Sequence, residues 1–231
     1  LALAGIEGYE GLLVTQDREA DVRAVNAFLS RLVELVKTAD AEGLFGHEEI
    51  LLSAGGSSYF DLVARGFGGV HGLSRPVRAV LRSGCYLTSD HGSYKRLLAQ
   101  LDAREAIGEG LRPALEVWSM VQSRPEPGLA ILTMGKRDAS YDEALPIPVY
   151  THRPGSDAEG PAELPPGCEI VKMNDQHAYL RLPEGEIRDS LQVGDLVGCG
   201  ISHPCTTFDK WQLLLAVDDD YNVLEGLNTF F

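Results

Sequence analysis

The chain has 231 residues, 44% of them hydrophobic and 23% charged, with a formal net charge of −14. That length holds one large core or two smaller ones, and the composition is that of an ordinary soluble globular protein. So acidic a surface repels phosphate backbones and argues against a nucleic-acid partner, although a locally positive pocket could still take an anionic small molecule.

No apolar run approaches the roughly 20 residues of a membrane span, and no signal peptide is visible. The chain starts at Leu1 without a methionine, in residues that read like a strand already inside a fold. It is therefore expected to be part of a longer protein. The four cysteines, Cys85, Cys168, Cys199 and Cys205, lack the spacing of a disulfide framework. They read as reduced thiols of a cytoplasmic protein.

Leu1 to Ile6 is a short apolar run bounded by glycine. From Asp21 to Lys37, apolar residues at Val22, Val25, Phe28, Leu29, Leu32, Val33 and Val36 recur at spacings of three and four, the mark of an amphipathic helix. Glu49 to Ser53 predicts a strand running into Gly55-Gly56, and a short helix follows near Tyr59 to Arg65. Val77 to Leu81 predicts a third strand. Strands alternating with helices argue for a parallel α/β arrangement, here the closing portion of a (β/α)8 barrel.

After roughly Asp90 the texture changes. Leu111 to Gln122 and Leu129 to Met134 predict strands about a turn at Pro125 to Gly128. Arg153 to Gly167 is rich in Pro, Gly and acidic residues and reads as a surface loop. Cys168 to Met173, Ala178 to Leu182, Leu196 to Gly200, Trp211 to Val217 and Val223 to Leu227 are short and mostly apolar. The expected organisation is α/β: a barrel part over residues 1–105, then a β-rich domain over 106–231.

Five segments could carry chemistry. Ser53-Ala54-Gly55-Gly56-Ser57-Ser58 follows a strand; its backbone N–H groups and hydroxyls suit a phosphate at the C-terminal end of a barrel strand, or form a tight turn needing positive φ. Arg82-Ser83-Gly84-Cys85-Tyr86 also follows a strand, and loops after neighbouring barrel strands can share one phosphate. His203-Pro204-Cys205 places an imidazole and a thiol two apart, pointing the same way from an extended chain, a donor pair suited to zinc with open positions for water or substrate. His177, entering a strand after Asn174-Asp175-Gln176, is a ligand, an acid/base group or a satisfied surface residue. Tyr9, within Gly8-Tyr9-Glu10-Gly11, could stack on a planar cofactor or is a loop aromatic. His47, His71, His91 and His152 sit in loop-like surroundings and are assigned nothing.

In this order, from Gly5 to Trp211, the segments resemble the D-serine dehydratase and D-threonine aldolase family, pyridoxal-phosphate enzymes of the alanine-racemase fold type. The resemblance implies that Ser53, Gly55, Gly56 and Ser57 lie on the cofactor phosphate, with Gly84 and Cys85 offering backbone N–H groups beside them. It implies that Tyr9 lines the cofactor ring and that His203 and Cys205 hold zinc near the substrate. His177 matches a histidine typical of the family's C-terminal domain and is the catalytic candidate. The family's Schiff-base lysine lies at the end of the first barrel strand, outside this sequence. Lys37, Lys95, Lys136, Lys172 and Lys210 fall in the wrong places for it.

The implied activity is elimination of water from a D-hydroxyamino acid, giving an oxo acid and ammonia. A D-threonine aldolase-like carbon–carbon lyase is the alternative. Cys205 favours dehydration, since the aldolases tend to carry an aspartate there, a harder ligand suited to manganese or magnesium. A non-catalytic cofactor-binding relative is the reading from another class. The fold type implies a homodimer.

Overall fold

The computed structural model describes residues 1–15, 17–92, 94–96, 98, 110–157 and 160–230. The chain divides into two compact units, Leu1–Gly84 and Cys85–Phe231. The boundary expected between 105 and 106 lies outside the described residues.

The first unit is built on three parallel strands, β1 (Gly5–Glu7), β2 (Ile50–Ala54) and β3 (Val77–Leu81), with β2 in the centre. Gly5 pairs with Leu51 and Ile50 with Val77. Ile50, Leu52 and Ala54 are buried, as the period of two demands. Between β1 and β2 runs α1 (Arg18–Ala41), longer at both ends than the predicted Asp21 to Lys37. Asp17 caps it by accepting from the Ala20 N–H, and Glu19 and Asp21 sit in its first turn, where the helix dipole favours negative charge. Val25, Leu29, Leu32, Val36 and Ala39 form its buried stripe. Between β2 and β3 lies α2 (Phe60–Gly68), which buries Leu62, Val63 and Phe67. These side chains share one core with the inward residues of the strands.

The second unit is built on a seven-stranded sheet. Its strands are β4 (Glu116–Glu126), β5 (Leu129–Leu132), β6 (Ile147–His152), β7 (Ala162–Glu163), β8 (Glu169–Met173), β9 (Ala178–Arg181) and β10 (Leu196–Gly200). Their spatial order is β7-β6-β10-β4-β5-β9-β8, all antiparallel. Val117, Val121, Leu132, Leu180, Val197 and Ile201 are among its core residues. A two-stranded hairpin, β11 (Leu213–Val217) and β12 (Val223–Asn228), follows. Two short helices, α3 (Glu186–Ser190) and α4 (Cys205–Phe208), are also described, with 3-10 turns at Gly11–Leu13 and Gly84–Tyr86.

Three features depart from the sequence reading. β6 carries Pro148, which normally breaks a strand, yet here it pairs with Cys199 where the β6–β10 register shifts, a position that tolerates a missing N–H. β4 runs on through Pro125 to Glu126 across a further register shift. Pro204 is helical (φ −55, ψ −44) and Cys205 opens α4, so His203 and Cys205 do not leave an extended chain. Among the described residues, no helix is long and apolar enough to cross a membrane.

Two glycines of β10 admit aromatic rings. A Cβ on Gly198 would come within 2.7 Å of the Trp118 ring, and one on Gly200 within 2.1 Å of the His91 ring. Trp118 is the cross-strand partner of Gly198. These rings lie against bare backbone.

Candidate functional site

In the first unit the expected phosphate turn leaves β2. Gly55 takes φ +84, which only glycine adopts without strain. The wholly buried Glu10 reaches this turn. One carboxylate oxygen accepts from the Gly55 N–H at 3.1 Å, and the other accepts from the Ser57 N–H at 3.0 Å and the Ser57 hydroxyl at 2.7 Å. The turn thus binds an oxyanion, and the oxyanion belongs to the chain itself.

Tyr9 covers the other side. Its side chain is 48% exposed, and a Cβ on Gly56 would come within 2.9 Å of its ring. Glycine at 56 is therefore a condition for the ring to lie down on the turn. The turn is held between a buried carboxylate and an exposed aromatic. Ser53 donates its hydroxyl to the Val80 carbonyl at 3.1 Å, and Arg82 ties β3 to the loop after β1 by donating to the Gly8 carbonyl at 2.8 Å. Gly84 is exposed, with open space where a Cβ would stand.

In the second unit the expected zinc residues sit at the start of α4. The Asp142 carboxylate bridges His203 Nδ1 (2.6 Å) and the Thr206 hydroxyl (3.0 Å). Partial burial pushes the Asp142 carboxyl up, but these hydrogen bonds outweigh it and hold the group below the usual carboxylate range. The His203 N–H donates to the Ser140 hydroxyl at 3.2 Å, and the Ser140 N–H donates to the Thr207 hydroxyl at 3.1 Å. Segment 140–142 therefore clamps the turn that carries His203. With Nδ1 facing a carboxylate, the tautomer that protonates Nδ1 is favoured, leaving the Nε2 lone pair for a cation.

Cys205 is exposed, and its Sγ stands 3.6 Å from that of Cys85. Among the described residues, no group of three or more His, Cys, Asp or Glu side chains is disposed to hold a metal ion. His203 and Cys205 are thus a two-residue donor set. His177 is half-buried at the turn between β8 and β9, where its carbonyl accepts from the Asn174 N–H at 2.8 Å. Among the described residues, no hydrogen bond joins it to His203 or Cys205. The link between the two places is the backbone of 135–142, which donates from Lys136 and Arg137 to the carbonyls of Asn174 and Asp175.

The sequence reading missed Glu10, Asp142 and the meeting of Cys85 with Cys205. Glu10 carried a signal, an acid inside a glycine-flanked turn beside Tyr9. Asp142 carried none, because its partner lies 61 positions away.

The family model described as "Putative serine dehydratase domain" matches residues 114–217. Among solved structures, the chain is similar to D-threonine aldolase from Filomicrobium marinum, at 20% identity and a TM-score of 0.62 over 97% of this chain and 52% of that one. It is similar to D-threo-3-hydroxyaspartate dehydratase from Delftia sp. HT23, at 18% identity and a TM-score of 0.59 over 98% of this chain and 56% of that one. Structures of a D-threo-3-hydroxyaspartate dehydratase include a histidine-to-alanine variant and a cysteine-to-alanine variant in the metal-free form, the two positions lying two apart. An alanine-racemase-like protein from Idiomarina loihiensis matches at 12% identity and a TM-score of 0.61 over 95% of this chain and 54% of that one. The chain thus spans about half the length of these proteins. Comparison with the curated proteins gives no match. At these identities the likeness establishes the fold: part of an α/β barrel followed by a β-rich domain.

Proposed function

From the match of residues 114–217 to the serine dehydratase domain model, we infer that the chain is the phosphate-gripping and zinc-binding part of a pyridoxal-phosphate-dependent lyase. Its reaction is loss of water from a D-hydroxyamino acid such as D-serine, giving an oxo acid and ammonia. The observation that carries this reading is the pairing of His203 Nδ1 with Asp142 beside the exposed Cys205. A carboxylate behind a histidine is the usual support of a metal-bound imidazole. The spacing of two between His203 and Cys205 also matches that between the histidine and cysteine replaced in the D-threo-3-hydroxyaspartate dehydratase variants.

The donors at His203 and Cys205 fit a metal ion. A soft thiolate and an imidazole suit zinc, and two protein ligands leave positions for water and substrate oxygen. The Gly55 and Ser57 N–H groups and the Ser57 hydroxyl already meet the Glu10 carboxylate, so a cofactor phosphate would have to displace that carboxylate or use the remaining donors of the turn. Gly56, half-buried, and the exposed Tyr9 beside it mark the accessible part of this turn. There the cofactor phosphate and ring would lie, with Gly84 and Cys85 adding backbone donors.

Bound pyridoxal phosphate supplies an electron sink for charge at Cα, and zinc a Lewis acid for the β-oxygen. The chain's own residues hold and orient. Tyr9 would line the ring of a bound cofactor and limit the access of water to it. Asp142 fixes the imidazole of His203, and Ser140 and Thr207 fix the turn that carries it. His177, on the adjoining turn, is assigned proton transfer at the substrate. The protein acts as a homodimer in the cytoplasm on this reading.

The test is to assay the full-length protein with zinc against D-serine and D-threonine. Pyruvate or 2-oxobutyrate with ammonia upholds dehydration. Glycine with acetaldehyde would support carbon–carbon cleavage instead, the second reading, which the likeness to D-threonine aldolase favours. Protein stripped of zinc that still releases ammonia at the full rate sinks the metal's role.

A further inference from the structure

We propose that Cys85 and Cys205 form a reversible disulfide, a redox modification site that takes Cys205 away from the metal. The two residues are 120 positions apart in the chain, yet their Sγ atoms stand 3.6 Å from each other within the second compact unit. A further approach of roughly 1.6 Å brings them to the ~2.05 Å of a disulfide bond.

Access distinguishes this pair from the other two cysteines. Cys205 is exposed and Cys85 half-buried, so a reagent can reach the pair. Cys199 is wholly buried, and burial pushes its thiol up. Cys168 is also pushed up by burial. Since the thiolate is the reactive form, both are poor competitors for an oxidant. Pro204 and α4 hold the Cys205 backbone, while the hydrogen bond from the Ser89 N–H to the Cys85 carbonyl (2.7 Å) holds the turn of Cys85. Neither cysteine depends on a mobile tail to meet the other.

The oxidising equivalents come from a small-molecule disulfide of the glutathione class. The Cys205 thiolate attacks one of its sulfurs and expels one reagent thiolate. The Cys85 thiolate then attacks the Cys205 sulfur of the mixed disulfide and expels the second. Two protein thiols and one reagent disulfide become one protein disulfide and two reagent thiols.

Zinc ligation needs Cys205 as a thiolate, and the disulfide consumes it, so the two states exclude each other. Zinc then shields the pair, and loss of zinc exposes it. This coupling rests on the zinc reading of His203 and Cys205 above; the thiol pair itself does not.

The test treats full-length protein, zinc-loaded and chelator-stripped, with oxidised glutathione, followed by alkylation and peptide mapping without reductant. The expected product in stripped protein is a cross-linked peptide pair containing Cys85 and Cys205, released by dithiothreitol with return of zinc uptake. Zinc should slow its formation by roughly tenfold or more. The Cys85→Ser variant should carry a single glutathione adduct on Cys205 and no cross-link. Separate adducts on Cys85 and Cys205 without a cross-link, or no reaction in stripped protein, overturn the proposal. A cross-link that forms equally fast with and without zinc upholds the thiol pair and overturns Cys205 as the zinc ligand.

Discussion

The carboxylate of Asp142 stands 2.6 Å from Nδ1 of His203 and accepts from the hydroxyl of Thr206 on the next turn, so one acid sets both the tautomer and the direction of the imidazole. Asp142 is exposed, and its replacement should cost little stability, within about 0.5 kcal/mol. Asp142→Ala should nevertheless weaken zinc binding by roughly 10–100-fold, the usual penalty for losing the partner behind a metal-bound histidine. Competition with a chromophoric chelator measures this directly. Unchanged affinity in a well-folded variant would remove Asp142 from the site.

Glu10 has a different task, because it is buried and three donors converge on it. Glu10→Ala leaves the Gly55 and Ser57 donors without an acceptor in a place water does not reach. The expected loss is about 2–3 kcal/mol, read as a lower urea midpoint. Glu10→Gln keeps one acceptor oxygen and should lose less. If Glu10→Ala unfolds at the wild-type midpoint, the turn does not need the carboxylate.

These two acids mark where the sequence is legible. Local pattern revealed α1 and β2, because Val25, Leu29, Leu32 and Val36 recur at the helix period and Glu49 to Ser53 is a short apolar run ending at Gly55-Gly56. The glycine turns were legible because Gly55 needs a positive φ that few residues supply. Strand β6 was hidden by Pro148, whose cost is absorbed by a register shift visible only with β10 in place. Asp142 and the Cys85–Cys205 meeting were hidden for a related reason. Each depends on chain closure over 61 and 120 positions, and a one-dimensional pattern carries no signal for that.

Gly200 is a packing requirement rather than a turn. An added Cβ would stand 2.1 Å from the His91 ring, far inside contact distance. Gly200→Ala must therefore displace the ring or bend β10, at a cost of about 1–3 kcal/mol. Because His91 donates its backbone N–H to the Ile201 carbonyl, the displacement should travel to the segment leading into His203. A Gly200→Ala variant with wild-type thermal stability and zinc affinity would contradict this packing.

His91 also gives the chain an acid response. Burial, helped by the positive charge of Lys95, brings its pKa down from 6.5 to about 4. Among the described residues its Nδ1 has no hydrogen-bond partner. The imidazole is thus neutral in the folded state at pH 6, while the unfolded chain near that pH already binds a proton. Stability from this group is complete above about pH 6.5 and falls as the pH drops toward 4, since the unfolded state binds more protons throughout that window. The total loss is on the order of 3 kcal/mol, at about 1.4 kcal/mol per pH unit in the middle of the range. The His91→Phe variant keeps an aromatic ring against Gly200 and cannot titrate. Urea unfolding of both proteins at pH 7, 6, 5 and 4 isolates the effect, with the wild type losing stability relative to the variant at each step down. Parallel curves would show that His91 protonates as readily in the folded protein as in the unfolded chain.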